Sequence, residues 1–239
     1  MPAANVDLVF VVDASGSMTP CFDQLFEHLQ EVVKPMQGTF ARLRFGLVAH
    51  SVGWTGESPE YDFRFLGGRG PEALSHLYGS DGRQSDSSFF FTEDPGAFTG
   101  VLSGVETGGN EETLVALDVA LDFPFGPVAS TKRVIALFSD EGMEGGMEEG
   151  RHNRKIPELI EKIMARRVLL FMALPESEGA NQLCAVDRAE WTVVDGGEGL
   201  ARADFQDLLG QMGQSISVSS LQSAEEPAYR RALFGQDRW

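Results

Sequence analysis

A valine-rich apolar run near the start of the chain limits the possible folds most. Residues 6–12 read VDLVFVV, and the polar, glycine-containing turn DASGSM follows them. A short apolar run closed in this way is typical of a strand that is buried on both faces of a parallel sheet. The rest of the chain is therefore interpreted around this first strand.

Strands and helices alternate along the remaining sequence. Further strands are predicted at 43–49, 61–66, 133–138, 168–174 and 191–194, with a short strand ending at 89–91. Helices are predicted at 22–36, 71–77, 94–105, 113–122, 156–165 and 205–212. This alternation predicts an α/β fold with a doubly wound, mostly parallel central sheet flanked by helices, and one antiparallel edge strand. We expect one domain at 5–218 and a polar C-terminal tail at 219–239.

The turn after the first strand carries oxygen-bearing side chains at alternate positions. Asp13, Ser15 and Ser17 form the pattern D-x-S-x-S. Alternate side chains of an extended turn point the same way, so one carboxylate and two hydroxyls can converge on one point. Oxygen ligands without nitrogen or sulfur suit Mg2+, Mn2+ or Ca2+. The alternative is an Asp/Ser-rich turn that caps the following helix.

This motif resembles the metal-ion-dependent adhesion site (MIDAS) of the von Willebrand factor A (VWA) domain family. In that family a threonine from a distant loop and an aspartate after the fourth strand complete the site. Thr113 in TLVAL matches the threonine, and Asp140 in LFSDEG matches the aspartate. The resemblance covers roughly residues 5–215 and implies a Rossmann-like VWA fold. In such sheets ligands bind beyond the carboxyl ends of the strands, where Asp13 and Asp140 would both lie.

Acidic residues beside the matched positions depart from the family pattern. Glu111 and Glu112 occupy a loop that is uncharged in many members, and either side chain would reach the metal or repel an acidic ligand. Glu141 separates Asp140 from the glycine that usually follows it. Two simpler interpretations stay open, namely a helix cap for Thr113 and a plain strand-end acid for Asp140.

The resemblance implies a binding function without catalysis. The metal ligands would be Asp13, Ser15, Ser17, Thr113 and Asp140, with Mg2+ as the ion and Mn2+ or Ca2+ as alternatives. An Asp or Glu carboxylate from a partner protein would fill the open sixth position. Magnesium prefers six oxygens, so an incomplete protein shell leaves room for an outside anion.

The competing function is a metal-dependent hydrolase or phosphatase on the same sheet edge. An aspartate nucleophile for phosphoryl transfer calls for D-x-D, but Ser15 occupies the place of the second aspartate. The sequence contains no G-x-x-x-x-G-K-[ST], G-x-G-x-x-G or G-x-S-x-G motif. His50 would border the site, but a single histidine without a partner is weak evidence for chemistry. These observations favour the binding module.

Charge and hydropathy narrow the range of partners. The chain has 19 Lys and Arg against 36 Asp and Glu, a formal net charge of −17, which argues against nucleic acid and anionic membranes. No stretch approaches the roughly 18 apolar residues of a membrane span. The first residues, MPAANVD, lack the basic and apolar segments of a signal peptide. We expect a cytoplasmic protein that is a monomer when unbound.

The oxidation state of the two cysteines tests the predicted cytoplasmic location. Cys21 and Cys184 lie far apart, and the sequence has no C-x-x-C motif. Two free thiols in a reducing compartment is the simpler interpretation, although a disulfide is possible. Alkylation under non-reducing, denaturing conditions should therefore add two alkyl groups by intact mass. A protein that takes up none would contain a disulfide, and the predicted compartment would be wrong.

Overall fold

A single mixed sheet forms the centre of the protein. The computed structural model describes residues 5–20, 22, 40–55, 58–79, 87–144, 151–195 and 210–214. The strands are β1 (Asn5–Asp13), β2 (Arg42–Thr55), β3 (Ser58–Arg64), β4 (Phe91–Thr92), β5 (Thr131–Phe138), β6 (Val168–Leu174) and β7 (Ala189–Val193). Their order is β3-β2-β1-β5-β6-β7, and β4 also pairs with β2.

The strand pairings confirm the predicted fold class. β1 lies parallel to β2 and β5, and the pairs β5–β6 and β6–β7 are also parallel. β3 is the antiparallel edge strand, and the short β4 pairs antiparallel with the first half of β2. In β1, Leu8, Phe10 and Val12 enter the core on one face of the sheet, and Val9 and Val11 enter it on the other. The valine-rich run is therefore buried on both faces, as its pattern predicts.

Helices cover both faces of this sheet. They are α1 (Gly70–Tyr78), α2 (Ser87–Phe90), α3 (Pro95–Leu102), α4 (Thr113–Leu121), α5 (Arg151–Arg166) and α6 (Glu178–Leu183). α3 packs on one face, whereas α1, α4, α5 and α6 contribute apolar side chains to the other. Residues 210–214 are helical, and Met212 is buried on the α3 face. Among the described residues, no helix is both long and apolar enough to cross a membrane.

Some element boundaries differ from the predicted ones. Residues 87–90 form α2, so the strand predicted to end at 89–91 is limited to Phe91–Thr92. In this helical turn the centre of the Phe90 ring lies 5.6 Å from that of Phe65 and 5.1 Å from that of Phe123. This aromatic packing explains why the segment is helical. α5 begins at Arg151, and Pro157, predicted at the helix start, lies inside it. α6 was not predicted.

Several predicted segments fall outside the described residues. These are the helix at 22–36 apart from Phe22, most of the helix at 205–212, and the tail at 219–239. The predicted domain boundary at residue 218 and the state of Cys21 therefore remain predictions.

Candidate metal-binding site

The carboxyl ends of β1 and β5 bring two polar turns together. Val12 lies opposite Phe138 in the parallel register, so Asp13 and Ser139 continue at the same level of the sheet. The Ser139 hydroxyl donates to Asp13 Oδ2 at 2.9 Å, and the Ser15 amide donates to Oδ1 at 2.8 Å. All three residues are buried. The Asp13 carboxylate is thus held firmly at the centre of this edge.

The two serines of the D-x-S-x-S turn lie side by side. The turn includes a 3-10 helix at Gly16–Met18, and Met18 anchors it through a fully buried side chain. The hydroxyl oxygens of Ser15 and Ser17 are 3.0 Å apart. This distance is that of a hydrogen bond, and Ser15 makes no side-chain cap bond to the 3-10 helix, so each hydroxyl oxygen still has a lone pair for a cation.

A glycine-containing loop, residues 107–112, joins the turn to the start of α4. Gly108 N donates to Ala14 O at 2.8 Å, and Gly16 N donates to Gly109 O at 3.4 Å. Asn110 exchanges two backbone hydrogen bonds of 2.8 Å with Val52 of β2. These bonds fix the loop across the carboxyl end of the sheet, and the chain enters α4 from there.

Gly109 is required for this arrangement of the loop. Its φ is +75°, and a Cβ at this position would lie 2.6 Å from Val52 O. We expect Gly109→Ala to destabilise the protein by about 1–3 kcal/mol, because the new Cβ adds both a clash and left-handed strain. Denaturant unfolding measures this loss. Gly108→Ala is the matched control, since a Cβ there meets no atom within 4 Å. Equal stability of the two variants would contradict the prediction.

Two side chains at the site carry buried polar atoms without partners. Thr113 is fully buried and Asp140 is 1% exposed. Neither Thr113 Oγ1 nor either carboxylate oxygen of Asp140 has a hydrogen-bond partner. A buried polar group left unsatisfied costs about 1–3 kcal/mol, so such groups call for an explanation such as a bound ion. The unpartnered atoms of Thr113 and Asp140 are oxygens, which suit a hard divalent cation, and a third unpartnered atom at this edge is the nitrogen Nε2 of His50.

The helix-cap interpretation of Thr113 does not hold. The residue before α4 in the cap position is Glu112, and Thr113 is the first residue of the helix. Its hydroxyl caps no backbone amide, because it has no hydrogen-bond partner at all. The hydroxyl is therefore available as a ligand.

Negative charges are concentrated around these groups. Burial raises the pKa of Asp140, the charge of Asp13 raises it further, and the nearby Ser17 hydroxyl partly offsets both effects. Burial also raises the pKa values of Glu111 and Glu141, and the charges of Asp13 and Asp140 add to both shifts. These carboxylates repel one another, and a cation between them would relieve that repulsion.

The two glutamates of the loop differ in position. Glu112 is buried, and its Oε2 accepts a hydrogen bond from the Tyr61 hydroxyl at 2.7 Å. Glu111 interacts electrostatically with the carboxylates of Asp13 and Asp140. The sequence alone left either residue as the one that reaches the metal.

His50 and Ser139 border the predicted ligand set. His50 lies beside Asp13 in the register of β1 and β2, is 3% exposed, and has no partner for Nε2. Burial lowers the pKa of His50, and the charge of Asp13 opposes this shift. The sequence did not predict Ser139 as a residue of the site. Its position at a strand end, directly before Asp140, could have indicated it.

No cluster of three or more His, Cys, Asp or Glu side chains suited to a metal occurs in the part of the chain that the structure describes. The predicted ligand set is of another kind. It combines two carboxylates, Asp13 and Asp140, with three hydroxyls, Ser15, Ser17 and Thr113.

Comparison with known proteins identifies the fold. No protein-family model and no curated protein matches the sequence. The structure is similar to the crystal structure of the von Willebrand factor domain of the type V pili tip protein Mfa5 from Porphyromonas gingivalis. The TM-score is 0.57 at 11% sequence identity, and the match covers 91% of this chain and 97% of that chain. The chain thus has the mixed α/β fold of a VWA domain. The similarity extends to the fold alone.

Proposed function

We propose that this chain is a divalent-metal-dependent protein-binding module. Asp13, Ser15, Ser17, Thr113 and Asp140 would hold Mg2+, and Mn2+ or Ca2+ would suit the same oxygen ligands. An Asp or Glu carboxylate of a partner protein would complete the metal shell. The observation that carries this proposal is the pair of buried, unpartnered groups, the Thr113 hydroxyl and the Asp140 carboxylate, at the edge where Asp13 is fixed.

Electrostatics supports an acidic ligand only when the metal is bound. Two carboxylates roughly neutralise a divalent ion, so the ion retains attraction for one further anion. Without the ion, the same anion would meet the charges of Asp13, Asp140, Glu111 and Glu141 on a chain of net charge −17. Partner binding should therefore need the metal and not merely be strengthened by it. We further propose that the unbound chain is a cytoplasmic monomer.

Binding without catalysis is the favoured function. The VWA domain with the similar structure belongs to a pilus tip protein. His50 is the histidine beside Asp13 in the strand register, and a single histidine without a partner is weak support for catalysis. A generic phosphoester assay with and without Mg2+ separates the two function classes. Magnesium-dependent hydrolysis that is lost in Asp13→Ala would favour the hydrolase.

The test of the proposal is the affinity for a partner captured in Mg2+, measured by calorimetry in Mg2+ and in EDTA. We expect binding in Mg2+ and none in EDTA. Ser15→Ala and Ser17→Ala should weaken binding, and Thr113→Ala should weaken it or change the preferred metal. Changing the partner's acid to its amide should lower the binding affinity as much as removing the metal does.

Ser130→Ala provides the matched control for the hydroxyl variants. Ser130 is exposed directly before β5, at the opposite edge of the sheet. Its replacement should leave partner affinity unchanged. Equal affinity in Mg2+ and EDTA would contradict the proposed function.

A further inference from the structure

A shallow pocket opens at the same sheet edge, on the α3 face. Its lining includes Ala14 from the D-x-S-x-S turn, Asp62 and Arg64 from β3, and Arg69 and Glu106 from the segments that follow β3 and α3. Ala14 lies between two of the proposed metal ligands in sequence. The pocket therefore borders the D-x-S-x-S turn through Ala14.

The two arginines of the pocket differ in their partners. Arg69 donates to both carboxylate oxygens of Asp62 at 2.5–2.9 Å and to Glu106 at 3.2 Å. Arg64 has no carboxylate within ion-pair distance among the described residues, because the acids of the pocket are bound to Arg69. Arg64 is also only partly exposed, so solvent screens its charge incompletely.

An unpaired guanidinium in a pocket is a recognition element for a carboxylate. Its planar fork matches the two oxygens of a carboxylate, and such charge-assisted pairs are stronger than neutral hydrogen bonds. Most of the surrounding charge on this chain is negative, so an attractive position for a second acidic group is unusual here. Arg64 lines the same pocket as Ala14, so it borders the turn that carries the proposed metal ligands.

We infer that the partner presents two acidic side chains close together, of which one binds the metal and the other binds Arg64. In an extended segment, residues i and i+2 project to the same side, so an acid-x-acid sequence would reach both positions. This inference rests on the proposed metal-dependent function and adds the class of segment that the site selects.

Synthetic peptides provide the test. One peptide carries a single aspartate among glycine and serine residues, and the other carries two aspartates in the order Asp-Gly-Asp. Both are titrated into the full chain by NMR, in Mg2+ and in EDTA. In Mg2+ we expect the two-acid peptide to bind about tenfold more tightly, as one added charged hydrogen-bonded pair would give.

Arginine variants assign the difference to one side chain. Arg64→Met should reduce the tenfold preference to about one while leaving single-acid binding unchanged, and Arg64→Lys should retain part of it. Arg188→Met removes the same charge just before β7, at the opposite edge, and should retain the whole preference. Circular dichroism verifies that each variant is folded.

The outcomes separate the inference from the function on which it rests. Magnesium-dependent binding of both peptides with equal affinity would overturn the role of Arg64 and leave the metal site intact. A preference that persists in both Arg64 variants would also overturn it. Binding that is absent, or unchanged in EDTA, would overturn the inference together with the proposed function.

Discussion

Replacing Asp140 with asparagine should stabilise the metal-free protein and at the same time remove its stabilisation by magnesium. The Asp140 carboxylate is buried and lies close to the charge of Asp13, and the nearby Ser17 hydroxyl only partly offsets these two effects. Its ionised form is therefore unfavourable in the folded, metal-free state. A bound Mg2+ would reverse this effect, because it would turn the same carboxylate into a ligand.

The pH dependence follows from the direction of the pKa shift. The pKa of Asp140 is raised in the folded protein above its ordinary value of 3.8, so the folded state binds the proton more tightly than the unfolded state. This group's contribution to the free energy of unfolding then falls as the pH rises from about 4 through the raised pKa. The advantage of metal-free Asp140→Asn should be fully present above the raised pKa and should shrink as the pH falls towards 4.

Thermal unfolding in EDTA and in Mg2+ measures both effects. At a Mg2+ concentration about a hundredfold above its Kd, the wild-type melting temperature should rise by about 5–10 °C. Asp140→Asn should melt above the wild type in EDTA and below it in Mg2+. Asp13→Ala should also lose the magnesium response while keeping the sheet folded.

A distant carboxylate serves as the control for these variants. Asp187→Asn, in an exposed loop before β7, should keep the whole magnesium response. If Asp13→Ala and Asp140→Ala both respond to magnesium as the wild type does, the ligand assignment is wrong.

The central strands were predictable from sequence because their apolar runs are long enough to be distinctive. β1 and β6 fall where their valine- and leucine-rich runs predict them. The run around Phe89–Phe91 is too short for periodicity to distinguish helix from strand, and packing of the Phe90 ring decided for helix. The short α6 was missed because its main local signal is a cap, in which Ser177 Oγ accepts from Ala180 N.

The site was predictable only as far as chain order and topology determine it. The alternation of elements predicts that Asp13 and Asp140 lie at the carboxyl ends of parallel strands, and the structure adds that these strands, β1 and β5, are adjacent. Whether Glu111 or Glu112 lies closer to the ligands depends on the direction of each side chain, which the sequence does not give; in the structure Glu112 accepts a hydrogen bond from Tyr61. Arg64 gave no sequence signal, because its importance depends on Arg69 taking the neighbouring acids.

The opposite edge of the sheet contains a buried ion pair that the sequence pattern also conceals. Asp7 and Arg44 lie opposite each other on β1 and β2 and are 2% and 7% exposed. Two hydrogen bonds of 2.7 Å join the guanidinium to both carboxylate oxygens, and Gly126 N donates to Asp7 Oδ2. The guanidinium also lies 4.4 Å from the centre of the Phe91 ring. This cluster ties β1, β2, β4 and the segment before β5 together.

Arg44→Met should lower the free energy of unfolding by about 3–5 kcal/mol, because it leaves the Asp7 carboxylate buried without its counterion. Arg42→Met, on the same strand, removes an equal charge from an exposed pair with Glu93 and should cost at most about 1 kcal/mol. Asp7→Asn combined with Arg44→Met removes both charges and keeps an acceptor for Gly126 N, so it should recover much of the loss. Denaturant unfolding of the three variants measures these differences, and an Arg44→Met loss no larger than that of Arg42→Met would contradict the prediction.

Because the pair lies at the amino ends of the strands, far from Asp13 and Asp140, folded Arg44→Met should retain the magnesium response.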